Sequence, residues 1–254
     1  MQHPLANRIA LVTGASRGIG FATAVALAKH GAHVVATARS KDGLADLDKA
    51  IGAAGGAVTI ALLDMTDTPG IARLAAMLAE RFGRLDVLVG NAAIPGPSIK
   101  VETFTPSQFD EVIAINLTAN FHLIRLMDPL LKKSDAGRAV FMSSSAVRQA
   151  RAVRGIYGAA KAGLESLVRA YAEGNFDTPL RVNLFNPGPI RTAMRATVAP
   201  HEDPLTLDTP EQCAEKLVEL CLPGFTETGK LYDYAARGYI DFVKPSVPAW
   251  DSRK

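Results

Sequence analysis

Short apolar runs rich in β-branched residues recur along the chain, at residues 9–13 (IALVT), 33–37 (HVVAT), 57–63 (AVTIALL), 85–90 (LDVLVG), 138–142 (RAVFM) and 180–185 (LRVNLF). They lack the strict alternation of half-exposed strands, so each reads as a strand buried on both faces. Longer segments with apolar residues at helical spacing lie between or beside them, at 21–30, 44–54, 71–82, 109–131 and 159–171. Buried strands alternating with helices predict an α/β fold, a doubly wound parallel sheet of about seven strands. Right-handed crossovers then place helices on both of its faces. The punctuation agrees: Gly31 suits a left-handed cap after the first helix, Pro106 and Pro210 suit helix starts, and Pro129 should kink or end its helix. No stretch reads as a linker, so residues 1–254 are expected to form one domain.

Composition narrows the partners. The 28 Lys and Arg against 25 Asp and Glu leave a net charge of +3, with no basic run longer than Lys132-Lys133. This excess gives no reason to expect nucleic acid or an anionic membrane. No charge-free apolar run reaches the roughly 18 residues that span a bilayer, and the first residues lack a secretion signal, so a cytoplasmic protein is expected. Cys213 and Cys221 fall in one helical pattern, which suits burial better than a disulfide framework or a metal site.

In an open parallel sheet, ligands bind beyond the carboxyl ends of the strands. The residues there are TGASRGIG (13–20), TARS (37–40), Asp64-Met65, Asn91-Ala92-Ala93, three serines (143–145) and Asn186-Pro187-Gly188-Pro189-Ile190. TGASRGIG follows a strand and opens a helix, the context in which glycines let the backbone approach a pyrophosphate that helix N–H groups receive. Tyr157 and Lys161 are four apart in a helical segment and share one face. A phenol titrating near 10 becomes a useful acid/base at neutral pH when a nearby ammonium favours the phenolate, and a shift of ~3 units corresponds to roughly 4 kcal/mol. Taken alone, the pair also reads as a half-buried aromatic and a solvated lysine.

The joint pattern resembles the short-chain dehydrogenase/reductase family over about residues 7–235: Gly14, Gly18 and Gly20 in G-x-x-x-G-x-G spacing, Asn91-Ala92-Ala93, Asn116, Ser144, Tyr157-x-x-x-Lys161 and Asn186-Pro187-Gly188. The resemblance implies a Rossmann-type sheet and an oxidoreductase moving hydride between NADP(H) and a carbonyl or alcohol. Tyr157 would exchange the proton, Ser144 would orient the substrate oxygen, with Ser143 and Ser145 as alternatives, and Lys161 would hold the ribose. Asn116 would distort its helix and hold a water leading to Lys161. Implied cofactor contacts come from Gly14, Ser16, Arg17, Gly18, Ile19, Gly20, Arg39, Asp64, Met65, Asn91, Ala92, Ala93, Tyr157, Lys161, Pro187, Gly188, Ile190 and Thr192. A substrate loop at about 188–209 and a homo-oligomer, tetramer or dimer, are also implied. Departures are Ala93, where relatives more often carry glycine, and GKLYDYAARGY with the tail after it (about 236–254), where many relatives have an aspartate and paired glycine.

Thr37 stands at the expected place of the carboxylate that selects NAD(H), with Arg39 two residues on and Arg17 in the glycine turn. Paired guanidiniums suit a 2′-phosphate, so NADP(H) is expected over NAD(H). A binding protein without turnover is the competing class, opposed by the complete Ser144, Tyr157 and Lys161 set. A larger-substrate epimerase or dehydratase is opposed by chain length. Arg148, Arg151 and Arg154 recur every third residue between serine and tyrosine. Either they are solvated or subunit-bridging, or at least one enters the cleft and favours an anionic substrate.

Overall fold

The computed structural model describes residues 3–149 and 151–240. Its strands are β1 (Ile9–Thr13), β2 (His33–Ala38), β3 (Ala57–Leu62), β4 (Val87–Gly90), β5 (Arg138–Met142), β6 (Arg181–Asn186), β7 (Leu231–Asp233) and β8 (Gly238–Ile240). The helices are α1 (Gly18–Lys29), α2 (Lys41–Ala53), α3 (Thr68–Phe82), α4 (Pro106–Ile113), α5 (Ala119–Leu131), α6 (Gly155–Glu173), α7 (Ala193–Val198) and α8 (Pro210–Glu219). The strands form one sheet in the order β3-β2-β1-β4-β5-β6-β7-β8. All neighbours are parallel except the closing β7 and β8, which pair antiparallel as Leu231 with Ile240 and Asp233 with Gly238.

The sheet is covered on both faces, as the double winding requires. One core joins Leu27 of α1, Leu44 and Leu47 of α2 and Leu217 of α8 to Val12, Val34 and Val140 of the strands. The other joins Leu78 of α3, Leu123 and Met127 of α5 and Leu164 of α6 to Leu11, Val35 and Phe141. Successive strand residues feed opposite cores, which is why the runs read as continuously apolar. Helix starts carry the expected chemistry: Thr105 and Thr209 each form a reciprocal capping box, with Gln108 and Gln212, ahead of Pro106 and Pro210.

Three expectations are corrected. Residues 57–63 do not form a buried strand: β3 is an edge strand paired only with β2, and Leu62 is 63% exposed. The 109–131 segment is not one helix, because a π-helical stretch at Ala114–Thr118 separates α4 from α5. Among the described residues the sheet has eight strands, since the chain after β7 turns at Arg237 (φ 54°) and returns as β8. Pro129 lies inside α5, two residues before its end. Gly31 adopts φ 96° directly after α1's cap. Within the expected substrate loop, α7 and a 3-10 turn at Pro204–Thr206 lie over the sheet end. The tail expected at 236–254 lies outside the described residues beyond 240. No helix among the described residues is long and apolar enough to cross a membrane. Cys213 and Cys221 are free and buried, and burial pushes both thiols up to about 12.

Opposite the carboxyl ends, Asp86 ties the amino edge of the sheet together. It is fully buried and accepts from Ile9 N (2.8 Å), Ser134 Oγ (2.6 Å), Arg8 Nη1 (3.0 Å) and Arg84 Nε (3.1 Å). Burial pushes its carboxyl up, but the hydrogen bonds from Ser134, Ile9, Arg8 and Arg84 outweigh it and hold the group below its ordinary range. Its stabilisation is therefore complete above the unfolded value of 3.8 and is lost as pH falls through the lower folded value. Asp86→Asn should lower the unfolding free energy by about 3 kcal/mol at pH 7. Urea melts should show that difference shrinking at strongly acidic pH; a difference that grows on acidification would contradict this account.

Candidate active site

The glycine turn is set by close approach. A Cβ on Gly14 would lie 2.9 Å from Ala92 Cα, and one on Gly20 would lie 2.4 Å from both Asn91 Nδ2 and Gly14 O. Asn91 Nδ2 donates to the carbonyls of Thr13 (2.8 Å) and Gly14 (3.2 Å), while Asn91 N and Ala92 N each donate to Thr13 Oγ1 at 3.0 Å. The ends of β1 and β4 are thereby locked together. Helix α1 starts after Arg17 with no side-chain cap, so its first peptide N–H groups face the turn. Bare glycine backbone and an uncapped helix start form a cradle that fits a dinucleotide pyrophosphate.

A cleft of about 490 Å³ runs along the carboxyl ends of the strands. It gathers Gly14, Ser16, Arg17, Gly18, Ile19, Gly20, Arg39, Asp64, Met65, Asn91, Ala92, Ala93, Tyr157, Lys161, Pro187 and Thr192. Gly188 and Ile190 instead line a smaller adjoining cleft of about 150 Å³, together with Ser144. The two clefts share Tyr157, Ile19, Ser143, Pro187, Thr192 and Met194. Thr37 is wholly buried and outside the cleft; Ala38, next in the strand alternation, is the residue that faces it. The strand end therefore offers a methyl group where a carboxylate would select NAD(H). Arg39 Nη1 stands 3.6 Å from Asp64 Oδ2, and Asp64 also accepts from Thr66 N and Oγ1, both at 2.9 Å.

Tyr157 and Lys161 lie on the first turns of α6. Lys161 is 1% exposed, its Nζ donates to Met142 O at 2.8 Å and stands 5.9 Å from the centre of the Tyr157 ring. Burial pulls its ammonium down to about 8. Burial raises the Tyr157 hydroxyl, and the Ser144 hydroxyl and the Arg154 charge pull it only part of the way back. Ser144 caps the 3-10 turn after β5, its Oγ accepting from Ala146 N at 3.2 Å. Ser143 also borders both clefts, but its hydroxyl is engaged in donating to the buried Glu165.

Asn116 sits inside the π-helical stretch and is fully buried. Its Oδ1 accepts from Ile94 N (3.0 Å), its Nδ2 donates to Ile94 O (2.8 Å), and its own carbonyl accepts from Asn120 Nδ2 (3.0 Å). The helix distortion expected at this position is thus present, and the side chain is committed to the loop after β4.

A family model described as short chain dehydrogenase matches residues 8–203. The chain belongs to that family. Among similar proteins, an uncharacterized oxidoreductase of Escherichia coli, YciK, is 39% identical over 213 residues, 82% of this chain and 84% of that protein. A short chain dehydrogenase from Shigella flexneri, solved in complex with NADP, superposes with a TM-score of 0.88 at 36% identity, covering 92% of this chain and 100% of that one. One from Escherichia coli complexed with NADPH gives 0.87 at 36% identity, over 92% and 99% of the two chains.

Several residues of this short-chain dehydrogenase site escaped the sequence reading. Thr13, whose hydroxyl takes two peptide N–H groups, stood in the glycine motif without a role. Glu165 lies four residues beyond Lys161 on the same helix face, and that spacing was the available signal. It is 5% exposed and pairs with Arg148 Nη2 at 3.1 Å. The apolar walls Ile94, Ile115 and Met142 carried no such signal, whereas Met194 falls in the expected substrate loop.

Lys161 allows a direct check of the buried charge. Its unfolded value of 10.5 lies above the folded one near 8, so the folded state binds fewer protons between them. Its burial penalty therefore applies fully below pH 8 and is relieved as pH rises towards 10.5. Without cofactor, Lys161→Met should melt at or above the wild-type temperature at pH 7, and the gap should move in the wild type's favour by pH 9. Thermal melts at both pH values read this directly; a gap independent of pH would assign the lysine no buried charge.

Proposed function

We propose that this short-chain dehydrogenase is an NADP(H)-dependent oxidoreductase that interconverts a carbonyl compound and the corresponding alcohol. The observation that carries this is the meeting of the two clefts at Tyr157, with Ser144 beside it on one side and Lys161 buried on the other. NADP(H) supplies or accepts the hydride at the substrate carbon. In the reducing direction, the Tyr157 hydroxyl gives its proton to the substrate oxygen, so that carbon gains hydride and oxygen gains the proton to make the alcohol. Ser144 donates a hydrogen bond to that oxygen and aligns it with Tyr157. Lys161 presents the ammonium that binds ribose hydroxyls and steadies the phenolate left behind. Asn116 holds the loop at Ile94 and the distorted helix in register with this group.

NADP(H) over NAD(H) is supported by Arg17 and Arg39 at the cleft mouth, by Ala38 in place of an acid, and by the NADP and NADPH found in the similar structures. The 2′-phosphate would compete with Asp64 for Arg39, a weak exposed pair that is easily exchanged. Titration should give tighter binding of NADPH than NADH, and Tyr157→Phe should lower kcat by about 10²- to 10⁴-fold with cofactor affinity kept. NADH binding as tight as NADPH would overturn the preference, and undiminished turnover by the phenylalanine variant would overturn the role of the tyrosine.

The protein is further proposed to assemble as a homo-oligomer, a tetramer or dimer. Phe109 of α4 and Phe121 of α5 expose 42% and 45% of their surfaces, apolar area suited to a symmetry mate. Light scattering should return a multiple of the 26.9 kDa chain mass, reduced by Phe121→Asp. A monomer at working concentration would refute this.

A further inference from the structure

The three arginines between Ser144 and Tyr157 have different fates. Arg148 turns away from the cleft and pairs bidentately with Glu165 through 3.1 and 3.3 Å contacts, fixing the loop that carries Ser144. Arg151 and Arg154 instead line the smaller cleft, alongside Ser144, Tyr157 and Gln149. Among the described residues no carboxylate lines that cleft, and its third cation, Arg195, is already neutralised by Glu202. Arg154 donates to Val198 O at 3.0 Å and has no acidic partner among the described residues. The Arg151 side chain has neither a hydrogen bond nor an ion pair among them, and its carbonyl accepts from Arg154 N at 2.9 Å. Two uncompensated guanidiniums in a concave site beside the reacting tyrosine are poised to take an anion, since a guanidinium fork matches a carboxylate or phosphate.

We propose that Arg151 and Arg154 form an anion subsite of the substrate cleft, so that the preferred carbonyl compound carries a carboxylate or phosphate group away from its reacting carbon. The proposal rests on the reading of this site as a carbonyl and alcohol oxidoreductase. Arg148 is no part of the subsite: its charge is used within the fold. The cleft is small, about 150 Å³, which suits a short-chain substrate whose charged end reaches Arg151 and Arg154 while its carbonyl meets Ser144 and Tyr157. Arg154 also acts on the Tyr157 hydroxyl through its charge, but that effect is common to all substrates and cancels in a comparison between them.

The test has two arms. In turnover with NADPH, wild type and the Arg151→Gln/Arg154→Gln variant are compared on oxo acids, a phosphorylated ketone, and the methyl esters or neutral ketones of matching shape. Wild type should favour the anions, and the double variant should raise KM for anions relative to neutral partners by roughly tenfold or more, as expected for lost charge-assisted hydrogen bonds. The oxo-acid and phosphorylated-ketone arms tell which anion fits. In the second arm the substitutions are placed in the Tyr157→Phe background with NADPH bound, and binding of an oxo acid and its methyl ester is read as a shift in Tm without turnover. The acid should raise Tm more than the ester only when both arginines are present. Equal losses for anions and neutral substrates, or equal Tm shifts for acid and ester, would overturn the subsite. If wild type turns over neutral ketones well and shows no preference for anions, the subsite fails while the oxidoreductase reading stands. No turnover of any carbonyl, with acid-selective Tm shifts retained, would fail that reading instead.

Discussion

Asn91 spans the two central strands where they open into the cleft, its side-chain amide shared between the carbonyls of Thr13 and Gly14 while the Thr13 hydroxyl receives the peptide N–H groups of Asn91 and Ala92. This exchange fills the space beside the glycine turn, and for that reason Gly14 and Gly20 have no room for a side chain. It also aims the uncapped start of α1 across the ends of β1 and β4, the point at which the strand order reverses direction. In an open α/β sheet a crevice forms at such a switch point. Loosening that junction would move the cradle, the floor beneath Tyr157 and the loop that Asn116 holds.

Charge in the site is sorted by burial. Lys161 is removed from water, so its proton is held less firmly than that of a free lysine even though its Nζ donates to the Met142 carbonyl. Arg148 is consumed by Glu165, and Ser143 donates to the same carboxylate, which makes a rigid support under the neighbouring Ser144. Arg17 and Arg39 stand at the mouth of the larger cleft, while Arg151 and Arg154 stand in the smaller one. Arg148 is thus paired within the fold, whereas Arg151 and Arg154 have no acidic partner among the described residues.

The π-helical stretch at Ala114–Thr118 belongs to the same logic. A wider turn frees backbone groups from their regular ladder, and here it lets the Asn116 carbonyl accept from Asn120 while the Asn116 amide serves Ile94. An asparagine inside an apolar helical run costs stability unless each polar atom finds a partner, and this one has a partner for both side-chain ends. The irregularity therefore secures a loop between β4 and α4 that lines the cofactor cleft.

The apolar runs, the helical spacing and the residues just past each strand determined the parallel sheet, its covering on both faces and much of the larger cleft's lining, because burial period and strand-end chemistry are local properties. Pro106, Pro210 and Gly31 marked their boundaries for the same reason. Only the tertiary structure decided that residues 57–62 form an exposed edge, since which strand ends the sheet depends on the order in which distant strands pair. It alone decided that Ala38 faces the cleft and Thr37 does not, a choice made by the pleat of β2 relative to its neighbours. Three arginines at equal spacing were equivalent in sequence. Glu165, brought over from α6, separated them by capturing Arg148, because an ion pair is chosen by distance in space and not by separation along the chain.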